Sequence, residues 1–181
     1  MFAVVFSYYG MFLWLPSVMV LKGFDLIQSF KYVLIMTLAQ LPGYVVAAWL
    51  VEKLGRKPTL AGFIGFCAVS AYFFGQADSV ASIMFWGCLM SFFNLGAWGV
   101  LYTYTPEQYP TNIRAFGSGW AAAVGRIGGI VAPLVVTHMM VAENGFSHVF
   151  IMFTAVLLTV AFVIVILGEE TKGKTLESLG M

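Results

Sequence analysis

The chain has 181 residues, 61% of them hydrophobic and 9% charged, with a net charge of +1 and a mean hydropathy of +0.92. A soluble domain carries about a quarter charged residues, so composition all but excludes a water-soluble fold. The near-neutral balance implies neither nucleic acid nor an acidic partner.

Hydrophobic runs fall near residues 2–21, 30–51, 59–76, 80–103, 115–138 and 147–168. Each has roughly the 17–25 residues that cross a bilayer as a helix, and in lipid the backbone must satisfy its own hydrogen bonds. The first run has no basic stretch before its apolar core and does not read as a signal peptide. The joints carry turn chemistry or charge: Lys22 to Asp25, Glu52 to Pro58, Ala77 to Ser79, Thr105 to Arg114, and Glu143 to Gly145. Residues 1–168 thus read as one bundle and 169–181 as a cytoplasmic tail. Cys67 and Cys88 lie inside apolar runs, as packing thiols rather than a disulfide.

Lys53, Arg56, Lys57, Arg114, Lys172 and Lys174 share one side if both termini lie there; Lys22 and Lys31 fall on the other. The positive-inside rule then places both termini in the cytoplasm, in a plasma or inner membrane.

Tyr9, Gln40, Asn94 and Arg126 come from four runs, each near its midpoint. At 1.5 Å per residue, all four sit within roughly 5 Å of the bilayer midplane. Such a layer points to a shared cavity. Each residue also has a plainer reading. Tyr8 and Tyr9 suit packing as well as a pocket. Gln40 precedes Pro42 and Gly43, where it repairs a broken ladder or faces the cavity. Asn94, near Gly96 and Gly99, is interhelical glue or a ligand contact. Trp98, Tyr102 and Trp120 are aromatic walls or lipid anchors.

Arg126 is the most informative of these. A guanidinium stays charged at any accessible pH, and at the centre of a span it costs roughly 2.5–3.5 kcal/mol. No Asp or Glu lies inside any run, so an ion pair within this chain has no obvious partner. The alternatives are a structural clamp and contact with an anionic substrate. Gly125 and Gly129 flank it as a small-xxx-small face. With Gly117, Gly119, Gly128 and Pro133, they are expected to leave room and to weaken the fifth helix locally, as in bent transporter helices.

Two motifs mislead. Residues 168–175 fit the phosphate-loop pattern GxxxxGK[ST], but a spanning run precedes it where a strand is needed. His138 and His148 form no metal-ligand spacing. No cofactor, metal or catalytic set is expected, and the chain does not read as an enzyme.

The loops resemble the major facilitator superfamily. Glu52 to Lys57 (EKLGRK) resembles its acidic-x-x-Gly-Arg-basic loop, with Glu52 where Asp is usual. Pro106 to Arg114 resembles the loop after the fourth helix of the C-terminal half, and Glu170 to Glu177 the tail of the sugar-porter and organic-ion branches. Glu169 replaces the usual proline there, so a less sharp helix end is expected. The resemblance implies an all-α membrane fold of six helices in two inverted three-helix repeats, the C-terminal half of a twelve-helix carrier. It implies that Glu52, Arg56, Lys57, Glu107 and Arg114 latch conformational states. It also implies that Arg126 selects an organic anion, with Gln40, Asn94, Tyr8, Tyr9 and Trp98 orienting it; an aromatic carboxylate such as nicotinate suits them. The partners expected are the bilayer, a small substrate, and an N-terminal six-helix half or a second copy. A sugar porter and a non-transporting scaffold remain the alternatives.

Overall fold

The computed structural model describes residues 1–21, 23, 25–142 and 144–173. Lys22, Phe24, Glu143 and residues from Lys174 onward lie outside them, and with them part of the orientation argument, part of two turns, and the end of the tail and phosphate-loop motifs.

The described residues form helices α1 (Phe2–Phe12), α2 (Leu15–Leu21), α3 (Leu26–Leu38), α4 (Gln40–Leu54), α5 (Arg56–Gly75), α6 (Val80–Glu107), α7 (Arg114–Met140) and α8 (Gly145–Leu167). Taking α3 and α4 as one span, five segments among the described residues are long and apolar enough to cross a membrane; the remaining run, the first, is divided between α1 and α2. The fold is an all-α integral membrane bundle.

Two of the expected single spans are interrupted. The first breaks at Leu13–Trp14 and the second at Ala39. Pro16 and Pro42 lie in the first turns of α2 and α4. There a missing N–H is tolerated, because those positions lack an intrahelical acceptor anyway. The fifth span differs from expectation in the opposite sense. Despite Pro133, α7 runs unbroken for 27 residues.

The packing follows the repeat only in part. The most extensive partners are α5 with α8, α5 with α6, α1 with α7 and α4 with α6. In span order these are third with sixth, third with fourth, first with fifth and second with fourth. A pseudo-two-fold axis that exchanges two three-span repeats maps the third–sixth pair onto itself and the first–fifth pair onto the second–fourth, and an odd number of spans inverts the repeat across the bilayer. The third–fourth pair departs from the symmetry, because its counterpart, α1 with α8, is much less extensive. Glycines allow the close crossings. A Cβ on Gly43 would lie 2.3 Å from the Phe92 carbonyl oxygen of α6, and one on Gly128 would lie 2.7 Å from the Phe2 carbonyl oxygen of α1.

α5 supplies much of the interior through Leu60, Phe63, Ile64, Cys67, Ala71 and Phe74. Ile27, Leu34, Ile130, Leu134, Phe162 and Leu167 are exposed, the composition expected of a lipid-facing surface.

Candidate functional site

Five of the six residues expected around a substrate come together on one face. Arg126 on α7 is exposed, and its Nη1 donates to the Tyr9 hydroxyl of α1 at 3.2 Å. Tyr9 lies against α7 through Gly129, whose added Cβ would meet its ring at 3.0 Å. Tyr8 and Tyr9 meet edge to face at 5.5 Å, and both contact Trp98 of α6, at 4.9 and 6.4 Å between ring centroids. The Gln40 side chain, at the α3–α4 break, is buried beside Tyr8. The arrangement is a guanidinium beside three aromatic rings. It presents a fork of donors for a carboxylate and π-surfaces for a planar ring. Arg126 does not run to a helix end, and its neighbour is a phenol rather than a main-chain oxygen.

Asn94 is placed elsewhere. It is 2% exposed in the interior, and neither amide atom has a hydrogen-bond partner. Its side chain lies beside the Cys67 thiol of α5 and is buried away from the open face. Trp98 stacks on Tyr102 at 5.8 Å, whereas Trp120 is 60% exposed and meets Phe116 one turn away on α7.

A second group of polar contacts closes the basic end of the bundle. Arg56 Nε lies 3.2 Å from Glu107 Oε2, an ion pair between α5 and α6 without an aligned hydrogen bond. Arg114 Nε donates to the Pro106 carbonyl at 3.0 Å. Lys57 contributes its backbone: the N–H groups of Arg56 and Lys57 donate to the Glu170 carboxylate at 3.0 and 3.1 Å. Glu52 is exposed and shares a cavity wall with Arg56. The chain after α8 lies across these helix ends. The Tyr104 hydroxyl donates to the Glu169 carbonyl at 2.8 Å, Thr171 Oγ1 donates to Glu107, and Lys172 Nζ donates to the Lys53 carbonyl. Partial burial pushes the Glu170 carboxyl up, but the N–H groups of Lys172, Arg56, Lys57 and Thr171 outweigh it and hold it below the ordinary range. Lys53, Arg56, Lys57, Arg114 and Lys172 thus gather at one end. At the other, Gln76 Nε2 donates to Ser147 Oγ at 2.6 Å, beside Asp78 and His148.

The family model described as "Sugar (and other) transporter" matches residues 3–180. The chain belongs to that transporter family. It is 77% identical to the niacin transporter NiaP of Acinetobacter baylyi over 180 residues, 99% of this chain and 41% of the relative. It is 62% identical over 176 residues to a putative niacin/nicotinamide transporter NiaP of Bacillus subtilis, 97% of this chain and 44% of that one. A putative metabolite transport protein of Escherichia coli, YdjK, is 33% identical over 174 residues, 96% of this chain and 38% of the relative. The chain therefore spans about two fifths of the length of these relatives.

In this transporter-family chain two participants escape a reading of the sequence alone. Glu170 caps α5 from 114 residues away. The signal for it is negative: Gly55, at the N-cap, has no side chain to accept the first N–H groups. Gly55 also has φ of +106°, and a Cβ there would lie 2.6 Å from Glu170 Oε2. Tyr104 is the other; nothing local marks it as the anchor for the tail. The α8 terminus is sharp even without the family's proline, because Gly168 turns to an extended ψ of 142°.

Proposed function

We propose that the chain is one six-helix wall of a secondary carrier that moves small aromatic carboxylates, nicotinate foremost, by alternating access. The observation that carries this is Arg126: a permanent cation at mid-helix, exposed on an aromatic face, in a chain whose span interiors hold no acid to neutralise it. A carboxylate ligand completes that charge, and Tyr8, Tyr9 and Trp98 supply the stack for its ring. The names of two relatives include niacin, and one also includes nicotinamide. The guanidinium favours the acid over the neutral amide.

A complementary six-helix half supplies the opposite wall. The basic end faces the cytoplasm by the positive-inside rule. There the Arg56–Glu107 pair and the Glu170 cap hold one state, and rocking about the midplane separates them. Glu52, Lys57 and Arg114 belong to the same fringe.

The test is uptake of labelled nicotinate into vesicles that hold the assembled carrier. Arg126→Ala is expected to lower uptake about 100-fold, the worth of a charge-assisted contact in a dry site, while membrane insertion stays intact. Arg126→Lys retains the charge without the fork and falls between. Equal transport by all three proteins sinks the substrate role, and absence of transport with any complementary half favours the scaffold reading.

A further inference from the structure

We propose that a cavity between α4 and α6 at the basic end is a second, weaker station for the same organic anion, where Arg56 takes the carboxylate after its release from Arg126. The proposal rests on the reading of Arg126 as the first station.

The cavity holds about 320 Å³ and is lined by Tyr44, Glu52, Arg56, Gly99 and Thr103 among small apolar residues. Small-molecule sites begin near 300 Å³, so a single-ring carboxylate fits. Gly99 shapes it. A Cβ there would lie 2.8 Å from Tyr44 Cε1, so the absent side chain lets the Tyr44 ring lie against α6.

An aromatic track connects the two stations. Trp98, which touches both tyrosines beside Arg126, stacks on Tyr102 with ring planes 27° apart. Tyr102 follows Gly99 by three residues on α6, and the Tyr44 ring of the cavity wall lies against that glycine. Thr103 lies about 7.5 Å beyond Trp98 along α6, at 1.5 Å per residue. A planar ring can pass from one face to the next over that distance without entering bare lipid.

At the far end, the Arg56 Nε is buried, paired with Glu107, and without a hydrogen bond. A guanidinium has five N–H donors, so its pairing capacity is far from filled by one unaligned contact. Glu52 on the same wall opposes an anion. The station is therefore weak, as a transit site must be if the ligand is to leave. An occupant also draws on the guanidinium that pairs with Glu107, so arrival of the ligand loosens that pair.

The experiment uses the assembled carrier in lipid nanodiscs and vesicles, with nicotinate as probe and nicotinamide as control. In Arg126→Ala protein, saturation-transfer NMR should still detect weak nicotinate contact. Adding Tyr44→Phe and Thr103→Val should reduce that residual contact about fivefold, the worth of roughly one hydrogen bond. With Arg126 intact, the same pair should leave nicotinate affinity within about twofold yet slow exchange about fivefold. Residual contact that is absent, or indifferent to the pair, together with wild-type exchange, overturns the inner station and leaves the Arg126 reading standing. Full-strength binding in Arg126→Ala protein sinks the Arg126 reading instead, and its loss in the combined variant would leave the inner station alone supported.

Discussion

The midplane face and the basic end both carry arginine, yet they treat it in opposite ways. Arg126 meets a phenol and open space. Arg56 meets Glu107 through its side chain and Glu170 through its backbone. A cation left open at the centre of a span is fully available for a ligand, whereas one drawn into the helix ends chiefly holds those ends together and offers a ligand only what its acidic partner leaves unfilled. Position along the helix, more than residue type, decides which role a charge takes.

Substitutions at the two places should therefore separate ligand recognition from stability. Arg126→Ala has the largest expected effect: nicotinate uptake falls about 100-fold while the thermal midpoint hardly moves. Gly55→Ala should do the reverse. Its backbone conformation suits only glycine, and the new methyl displaces the Glu170 carboxylate. We expect a loss of about 2 kcal/mol, read as a lower thermal midpoint with nicotinate affinity unchanged.

Glu170→Gln should cost less, about 1 kcal/mol, by removing the charge from the α5 N-terminus. Its pH dependence has a definite sign. The folded carboxyl is held below its ordinary value, so its stabilisation is complete above about pH 4.3. It is lost as pH falls through the lower folded value. Thermal midpoints measured across acid pH should show this decline in the native protein and not in the glutamine variant. Tyr9→Phe is the mildest break. It removes one partner of Arg126 and should weaken nicotinate binding about two- to fivefold in a titration, with stability unchanged.

Bilayer thickness made the spans legible in the sequence, because a 30 Å core imposes a run length whatever the residues. Shared depth made Tyr9, Gln40 and Arg126 legible as candidate neighbours, whereas Tyr8 and Trp98 entered only as aromatic residues that suit packing equally well. Rotation about the helix axis did not follow, which is why Asn94, at the same depth, turns inward toward Cys67. Pro42 marks a break in the second span, and α4 starts beside it, whereas the weakening expected around Pro133 meets an unbroken α7. Pro16 and Pro42 coincide with new helix starts, whereas the turns around Pro133 are pinned along α1 through Gly125, Gly128, Gly129 and Ala132. The Glu170 cap joins residues far apart in the chain, beyond the reach of any local pattern.

The most direct test of the central claim is equilibrium binding of nicotinate and nicotinamide to the assembled carrier, with and without Arg126→Ala. The two ligands share a ring and differ in charge. The account predicts that affinity for the acid falls about 100-fold while affinity for the amide changes less than about threefold. Equal losses for both ligands, or no loss for the acid, would contradict it.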